Sequence, residues 1–398
     1  MKILVVCQYY YPEQFRINDI CETLVKKGNE VTVLTGLPNY PRGKVSKEYK
    51  FFRKRKEKIN GVNVIRSFEI GRRRGIIFRV LNYLSYMISA SIKACFMKEQ
   101  FDVVYVYQLS PVLMAVPGII YKKRHNTKMV LYCLDLWPES VTTFGIKENT
   151  LIYKLIDKIS RKIYNKADEI LVSSETFKQD IKKKLKQDIK IEYIPQYSEN
   201  ILSAKTHKWH KEINFVFAGN IGKAQSVETI IKAANELKEN SNIKIHIVGD
   251  GSSLQECKDL VKKLNLNNVI FYGKKELNEM QQYYNLADAM LVTLTKDAFA
   301  SKTLPGKVQS CMATGNPIIA AADGETKKII ENAKCGYCVP AEDYKALANK
   351  MIEFASKTKV EIAELENNSQ EYYNKNFKKD IIINKLIKVL EKEGIKNV

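Results

Sequence analysis

Ile213–Ile231, INFVFAGNIGKAQSVETII, restarts an α/β pattern in the middle of the chain. Ile213–Ala218 is an almost unbroken apolar run, as expected of a strand buried on both faces of a parallel sheet. Gly219, Asn220 and Gly222 punctuate it, and Val227, Ile230 and Ile231 resume at helical spacing. A strand, a glycine loop and a helix together aim backbone N–H groups and the positive helix end at an anion. Lys223 adds a mobile positive charge there. An ordinary tight βα turn has the same spelling, so the surrounding chain has to decide between the two.

Upstream, strand-like runs at Lys2–Cys7, Glu30–Thr35, Val62–Arg66, Val103–Tyr107, Lys128–Leu134, Glu169–Val172 and Ile191–Ile194 alternate with helical patterns such as Asn18–Lys27 and Leu151–Ala167. Around Pro195–Glu212 the apolar period stops in a polar stretch carrying His207 and His210, which reads as a linker. Downstream, Lys244–Val248, Val269–Tyr272, Ala289–Val292, Pro317–Ala320 and Tyr337–Val339 continue the second series. Such alternation predicts two doubly wound parallel sheets covered by helices, with ligands held in a cleft at the carboxyl ends of the strands. The expected domains are 1–196 and 197–376, with a last amphipathic helix, 377–396, packing back onto the first.

Sixty-five Lys and Arg against 44 Asp and Glu leave a net charge of +21. Much of the visible clustering lies between Arg42 and Arg79: Lys54, Arg55, Lys56, Lys58 and the triplet Arg72, Arg73, Arg74. The long apolar segment Ile76–Met97 follows at once, interrupted by Arg79, Asn82 and Lys93. These interruptions argue against a spanning helix. They leave a core-facing helix or one lying in an anionic membrane interface beside its basic patch. No nucleic-acid reader motif accompanies the charge. The opening MKILVVCQYYYPEQ reads as a first strand and not as a signal peptide. Scattered cysteines in apolar runs (Cys7, Cys95, Cys133, Cys311) suit a reducing cytoplasm.

Three further loops stand at strand ends. Val248–Ser252 contains Gly249 and Gly251 but lacks the third glycine and the distal acid of a dinucleotide fingerprint, so it is a second backbone approach to a ligand or a simple turn. In Ser301–Pro317, Pro305-Gly306 enters a helix that carries Lys307 in its first turn; Lys307 holds part of a phosphorylated ligand or is a solvated surface lysine. In LYCLDLWPES, Asp135 and Glu139 follow a strand, where a carboxylate serves as a base or positions a hydroxyl; helix capping is the alternative for Glu139. The loop Gln8–Arg16 and Asn18 occupy the analogous place after the first strand, where Tyr9–Tyr11 and Phe15 either stack on a sugar or fill core. Cys335 and Cys338 run into a strand, unlike a redox pair, and read as structural. There is no Asp-x-Asp and no paired Cys/His metal motif.

Taken together, QYYYPEQFRIND, GLPNYPRGK, LYCLDLWPES, FAGNIGKAQSVETI, IVGDGSSL, FYGKKELNEM and PGKVQSCMATGNPII resemble glycosyltransferase family 4, in its WbuB-like subgroup of bacterial surface-polysaccharide amino-sugar transferases. The resemblance implies a GT-B fold of two Rossmann-like domains and transfer with retention, without a metal or other cofactor. It implies a UDP-sugar donor on the C-terminal half, a lipid-linked saccharide acceptor on the N-terminal half and work at the cytoplasmic membrane face. By this likeness Gly222 and Lys223 face the diphosphate and Gly219, Asn220 and Gln225 shape its loop. Gly249 and Gly251 approach the donor, Gly273 and Lys274 lie near the base, and Gly306, Lys307, Val308 and Ser310 lie near phosphate and ribose. Asp135 and Glu139 are the acceptor-side catalytic candidates. Tyr10, Glu13, Arg16 and Asn18 belong to the acceptor loop, and Arg72–Arg74 meet the membrane. The chain departs from the family where Asn220 and Gln225 replace an Arg and a Lys. Its paired glutamates fall at Lys302 and Ser310, and Cys133-Leu134 stand where a His often precedes the acceptor-side Asp. A UDP-sugar 2-epimerase and a non-catalytic sugar-nucleotide adaptor are the rival classes.

Overall fold

In the computed structural model, residues 1–40, 42–51, 53–198, 202–205 and 211–394 are described; His207 and His210 fall outside them. The chain forms two units, Met1–Ile194 with the segment from Ile383 onward, and Pro195–Ile382.

The first unit holds strands β1 (Lys2–Val6), β2 (Glu30–Thr35), β3 (Lys56–Ile59), β4 (Val62–Arg66), β5 (Val103–Gln108), β6 (Lys128–Cys133), β7 (Glu169–Val172) and β8 (Lys190–Tyr193). Its helices are α1 (Arg16–Lys26), α2 (Ile76–Phe96), α3 (Val116–His125), α4 (Leu151–Tyr164) and α5 (Phe177–Lys182). The sheet order is β3-β4-β2-β1-β5-β6-β7-β8. Every neighbouring pair is parallel except β3 with β4. The reading of the sequence did not foresee β3, whose KEKI is polar. Its hairpin is nevertheless written in Asn60-Gly61, both with positive φ (49° and 85°), the pattern of a tight two-residue turn.

The second unit holds β9 (Ile213–Ala218), β10 (Ile243–Val248), β11 (Val269–Gly273), β12 (Ala289–Thr293), β13 (Ile318–Ala321) and β14 (Gly336–Val339). Its helices are α6 (Val227–Glu236), α7 (Leu254–Lys263), α8 (Met280–Leu286), α9 (Gly306–Ala313), α10 (Gly324–Ala333), α11 (Tyr344–Ala355), α12 (Lys359–Asn376) and the start of α13 (Lys379–Gly394). The all-parallel order β11-β10-β9-β12-β13-β14 reverses direction beside β9, the topological switch point of a doubly wound sheet. Alternation along β9 sends Phe215 and Phe217 to the layer of α6 and α11, and Val216 and Ala218 to the opposite layer. Both faces are buried, which is why the run is apolar but for Asn214. The end of α13 returns to the first unit, where Lys392 Nζ lies 3.7 Å from Glu169.

The first unit has its own switch point between β1 and β5. The loops after β1, β5 and β6 therefore gather at one end of its sheet, and those after β9, β10 and β12 at the corresponding end of the other.

Candidate functional site

In the second unit three loops are zipped by their backbones. Gly219 N–H donates to Val248 O (2.9 Å), Gly249 N–H to Gly273 O (2.9 Å), Ile221 N–H to Asp250 O (2.9 Å) and Ser253 N–H to Ile221 O (2.9 Å). The contact is close enough to require glycine. A Cβ at Gly249 would stand 1.8 Å from Gly219 O, and one at Gly251 2.3 Å from Ile221 O. These two glycines therefore serve the packing of loop on loop; what they approach is the β9–α6 backbone, and the ligand contact expected of them becomes indirect. From the other side Thr293 Oγ1 donates to Gln225 O (2.5 Å) and Thr295 N–H to Ala224 O (3.1 Å). Asn220 Nδ2 donates to Gln225 Oε1 (3.0 Å) across Gly222, so the two residues that replace the family's cations lock the loop to itself. Lys223 is exposed and Lys274 is exposed at the end of β11.

Lys307 is the unexpected member. It enters from the first turn of α9, and its Nζ is shut from solvent with no hydrogen-bond partner among the described residues. The ammonium lies 4.0 Å from the centre of the Phe217 ring, and a Cβ at Gly219 would stand 3.6 Å from it. Burial lowers its pKa to about 8. An unpaired cation under a glycine loop is costly unless an anion comes to it. The solvated-lysine alternative does not hold for Lys307, which lies under the same loop that carries the exposed Lys223. Its neighbours divide: Gly306 is exposed, Ser310 is buried with Oγ donating to Gly306 O (3.2 Å), and Val308 is fully buried core. The expectation that Val308 meets the donor is corrected accordingly.

In the first unit, Asp135 follows β6. Ser110 Oγ, from the loop after β5, donates to its carboxylate, and Trp137 Nε1 donates to Ser110 Oγ (2.8 Å). Gln108 Nε2 holds the Asp135 carbonyl (2.8 Å), and burial raises the carboxyl above its usual pKa. Glu139 is otherwise engaged: its Oε1 lies 2.5 Å from the Nζ of buried Lys184, so it ties the loop after β6 to the end of α5. That ion pair corrects the expectation of a catalytic Glu139 and leaves Asp135 as the candidate carboxylate of this loop.

The loop after β1 also divides. Tyr10 is 1% exposed and packs edge-on to Tyr11, which makes it core and not an acceptor contact. Glu13 is buried, and its Oε1 accepts from the N–H groups of Asn39 (2.7 Å) and Tyr40 (2.5 Å); Asn18 Nδ2 donates to Glu13 O (2.7 Å). Both are braces, correcting the direct acceptor contacts expected of them, although Asn18 Oδ1 is buried without a partner. Arg16 is half-buried at the start of α1. The aromatic face belongs to Tyr9, Phe15 and Tyr40: Tyr9 stacks on Phe15 at 5.2 Å, and exposed Tyr40 lies 5.6 Å from Phe15. Arg72, Arg73 and Arg74 line a cavity of about 660 Å³ together with Tyr40. Among the described residues no cluster of His, Cys, Asp and Glu can hold a metal ion. Cys335 and Cys338 are free, and burial pushes both thiols up to about 12.

Two Rossmann-like units, one with a glycine loop after its central strand β9 and one with a buried carboxylate after β6, define the GT-B class of glycosyltransferases. The model of glycosyltransferase family 4 matches residues 15–196, and that of glycosyl transferases group 1 matches residues 198–379. The chain belongs to glycosyltransferase family 4 and is a transferase. It is similar to the putative colanic acid biosynthesis glycosyl transferase WcaI of Escherichia coli, 23% identical over 82% of this chain and 84% of that protein. It is also similar to the probable glycosyltransferase WbjE of Pseudomonas aeruginosa, at 25% identity over 60% of this chain, and spans 62% of that relative's length. HepE from Anabaena, solved in complex with UDP, shares the fold with a TM-score of 0.72 at 15% identity, covering 98% of this chain and 100% of its own.

Proposed function

We propose that this chain moves an N-acetylated amino sugar, a hexosamine or deoxyhexosamine, from a UDP-linked donor to a polyprenyl-diphosphate-linked saccharide, with retention and without a metal. The step belongs to the synthesis of a capsule or O-antigen type of polysaccharide at the cytoplasmic membrane face, within the WbuB-like subgroup. The observation that carries the reading is the unpaired Lys307 ammonium beneath the Gly219 loop. In the reaction the bond from the sugar C1 to the diphosphate oxygen breaks, the acceptor hydroxyl oxygen bonds C1 on the same face, and the hydroxyl proton passes to the leaving diphosphate oxygen. Negative charge grows on the leaving diphosphate. Lys307, Lys223 and the loop N–H groups oppose that charge as fixed dipoles and cations do in a water-poor site. Asp135, oriented by Ser110, accepts a hydrogen bond from the acceptor hydroxyl. The HepE complex and the polysaccharide-related name of WcaI support the donor class and the pathway class.

A thermal-shift screen of UDP-sugars tests the reading. A true donor at 100 times its Kd stabilises the protein by roughly 2.7 kcal/mol. UDP-N-acetylhexosamines are expected to raise Tm more than UDP-glucose, and to yield free UDP only when a prenyl-diphosphate saccharide is added. Epimerisation of the nucleotide sugar without acceptor, or no response to any uridine nucleotide, overturns it.

A further inference from the structure

The first unit carries a second concentration of positive charge. Arg42, Arg72, Arg73, Arg74 and Arg79 line one cavity of about 660 Å³ with Asn39 and Tyr40. Among the described residues Arg42, Arg72, Arg73 and Arg74 form no ion pair with a carboxylate. Two of the guanidinium groups are instead steered by rings, Arg72 over Tyr83 at 5.6 Å and Arg73 over Phe78 at 5.4 Å. The backbone that carries them is fixed. Arg72 N–H donates to Asn39 Oδ1 (2.9 Å), Gly43 N–H to Asn39 O (2.6 Å), and a Cβ at Gly43 would stand 2.5 Å from Arg72 O. Gly75, at the start of the 21-residue α2, also lines the cavity, so the positive end of that helix adds to the field. Four arginines held together without a carboxylate partner cost free energy, and a polyvalent anion removes that cost.

An apolar track begins where the cavity ends. Ile77, Leu81, Leu84, Ile88 and Ile92 recur on the outer face of α2, all at least 37% exposed, opposite the buried Asn82, Tyr86 and Ala90. From Ile77 to Ile92 the track runs about 22 Å at 1.5 Å per residue. Phe96 extends it and is 75% exposed. No helix among the described residues is long and apolar enough to cross a membrane. Tyr40 also lines the cavity, next to the Tyr9–Phe15 stack. An aromatic face and an apolar track that both adjoin an arginine-lined cavity match a sugar and an isoprenoid chain that both adjoin a diphosphate.

We propose that this cavity seats the diphosphate of a prenyl-diphosphate-linked acceptor, with the isoprenoid chain along the outer face of α2. The inference rests on the transferase reading above but on different residues. It differs from a flat membrane patch in asking for forked, multidentate recognition of two adjacent phosphoryl groups.

Calorimetry with farnesyl diphosphate as probe, in detergent-free buffer and saturating UDP, tests it. Saturating UDP keeps the probe off the Gly219 loop. The full chain is expected to bind farnesyl diphosphate roughly tenfold or more tightly than inorganic pyrophosphate or farnesyl monophosphate. Arg73→Gln with Arg74→Gln, both at exposed positions, is expected to weaken both diphosphates roughly tenfold at an unchanged Tm. Ile77→Ser with Ile88→Ser is expected to remove the advantage of farnesyl diphosphate over pyrophosphate and leave pyrophosphate unchanged. Equal affinity of wild type and the arginine variant for farnesyl diphosphate overturns the proposal. So does loss of phosphatidylglycerol-vesicle binding in that variant while farnesyl diphosphate affinity stays intact, since the arginines then serve headgroups. Failure of UDP itself to bind sinks the transferase reading and leaves the farnesyl diphosphate comparison to be read on its own.

Discussion

Lys307 is kept where a lysine is least stable, against Phe217 and without a hydrogen bond. Burial puts its pKa in the free protein at about 8, below the unfolded value of 10.5. Between these values the unfolded chain binds one more proton, so this residue makes stability rise with pH there. Binding of an anion has the opposite sign. Above about pH 8 the lysine must first take up a proton, and UDP affinity should fall by up to about tenfold per pH unit. Lys307→Met is expected to abolish that pH dependence and to weaken UDP by roughly 1.5–3 kcal/mol at pH 7. The same variant should keep or raise Tm, because a thioether suits an aromatic neighbour better than a bare ammonium does. Titrating UDP between pH 7 and 9.5 checks both; a K307M protein with wild-type affinity rejects the assignment. The sequence singled out position 307 and could not weigh it. Whether a lysine head is wet depends on Phe217 and Gly219, some 90 residues away in the chain, and periodicity carries no such term.

At the scale of elements, α2 resolves into two faces. Its inner face is polar where it meets the end of the sheet. Asn82 Nδ2 donates to Glu69 and to Ile70 O (2.7 Å), Gln8 Nε2 donates to Asn82 Oδ1 (2.9 Å), and Asn39 Nδ2 donates to Glu69 Oε1 (2.7 Å). Tyr86 reaches Cys7 O (3.1 Å). The Asn82 that interrupts the apolar run is thus the anchor of the helix, which places the core-facing reading on its inner side and leaves the outer stripe exposed. Burial raises Glu69 to about 8 and Glu13, eased by Arg66, to about 7. Both lie above the ordinary glutamate value of 4.5, so between pH 4.5 and these values the native state holds protons the unfolded chain has lost. Stability from these two groups is complete below pH 4.5 and is lost as pH rises through 7 to 8. Glu69→Gln should flatten that slope and stabilise the protein at pH 8.5 by an amount on the order of 1–3 kcal/mol, since the amide keeps an acceptor for its donors. Urea unfolding at pH 5 and 8.5 reads it out, and an unchanged slope means Glu69 ionises freely. The strands around this network were legible because buried parallel strands are apolar throughout. The Gln8–Glu69–Asn82 cluster was not, because its members are 61 and 74 positions apart and unite only once β1 and α2 are packed.

The whole molecule repeats one device, a strand end feeding a loop at a switch point, in two units whose alternating runs made that repetition readable. Strand order was not readable, since pairing β9 with both β10 and β12 is a matter of register and not of local pattern. Charge is the other property of the whole. A net charge of +21 gives attraction to any anionic surface, but bulk charge alone is screened within about 8 Å at physiological ionic strength. Basic residues near such a surface contribute about 1 kcal/mol each at low salt, while buried apolar area is largely indifferent to salt. The exposed stripe of α2 adjoins the arginine cavity, so both contributions act at one place. Sedimentation with phosphatidylglycerol vesicles should therefore show two components. Raising salt from 0.05 to about 0.5 M should remove most of the binding, and Arg72–Arg74→Ala should remove part of what salt removes. The remainder at high salt should vanish in Ile77→Ser with Ile88→Ser. If that double variant binds vesicles at high salt as well as the wild type does, the outer face of α2 is not in contact with lipid. If binding is insensitive to salt and to the arginines, the charge of the molecule has another purpose.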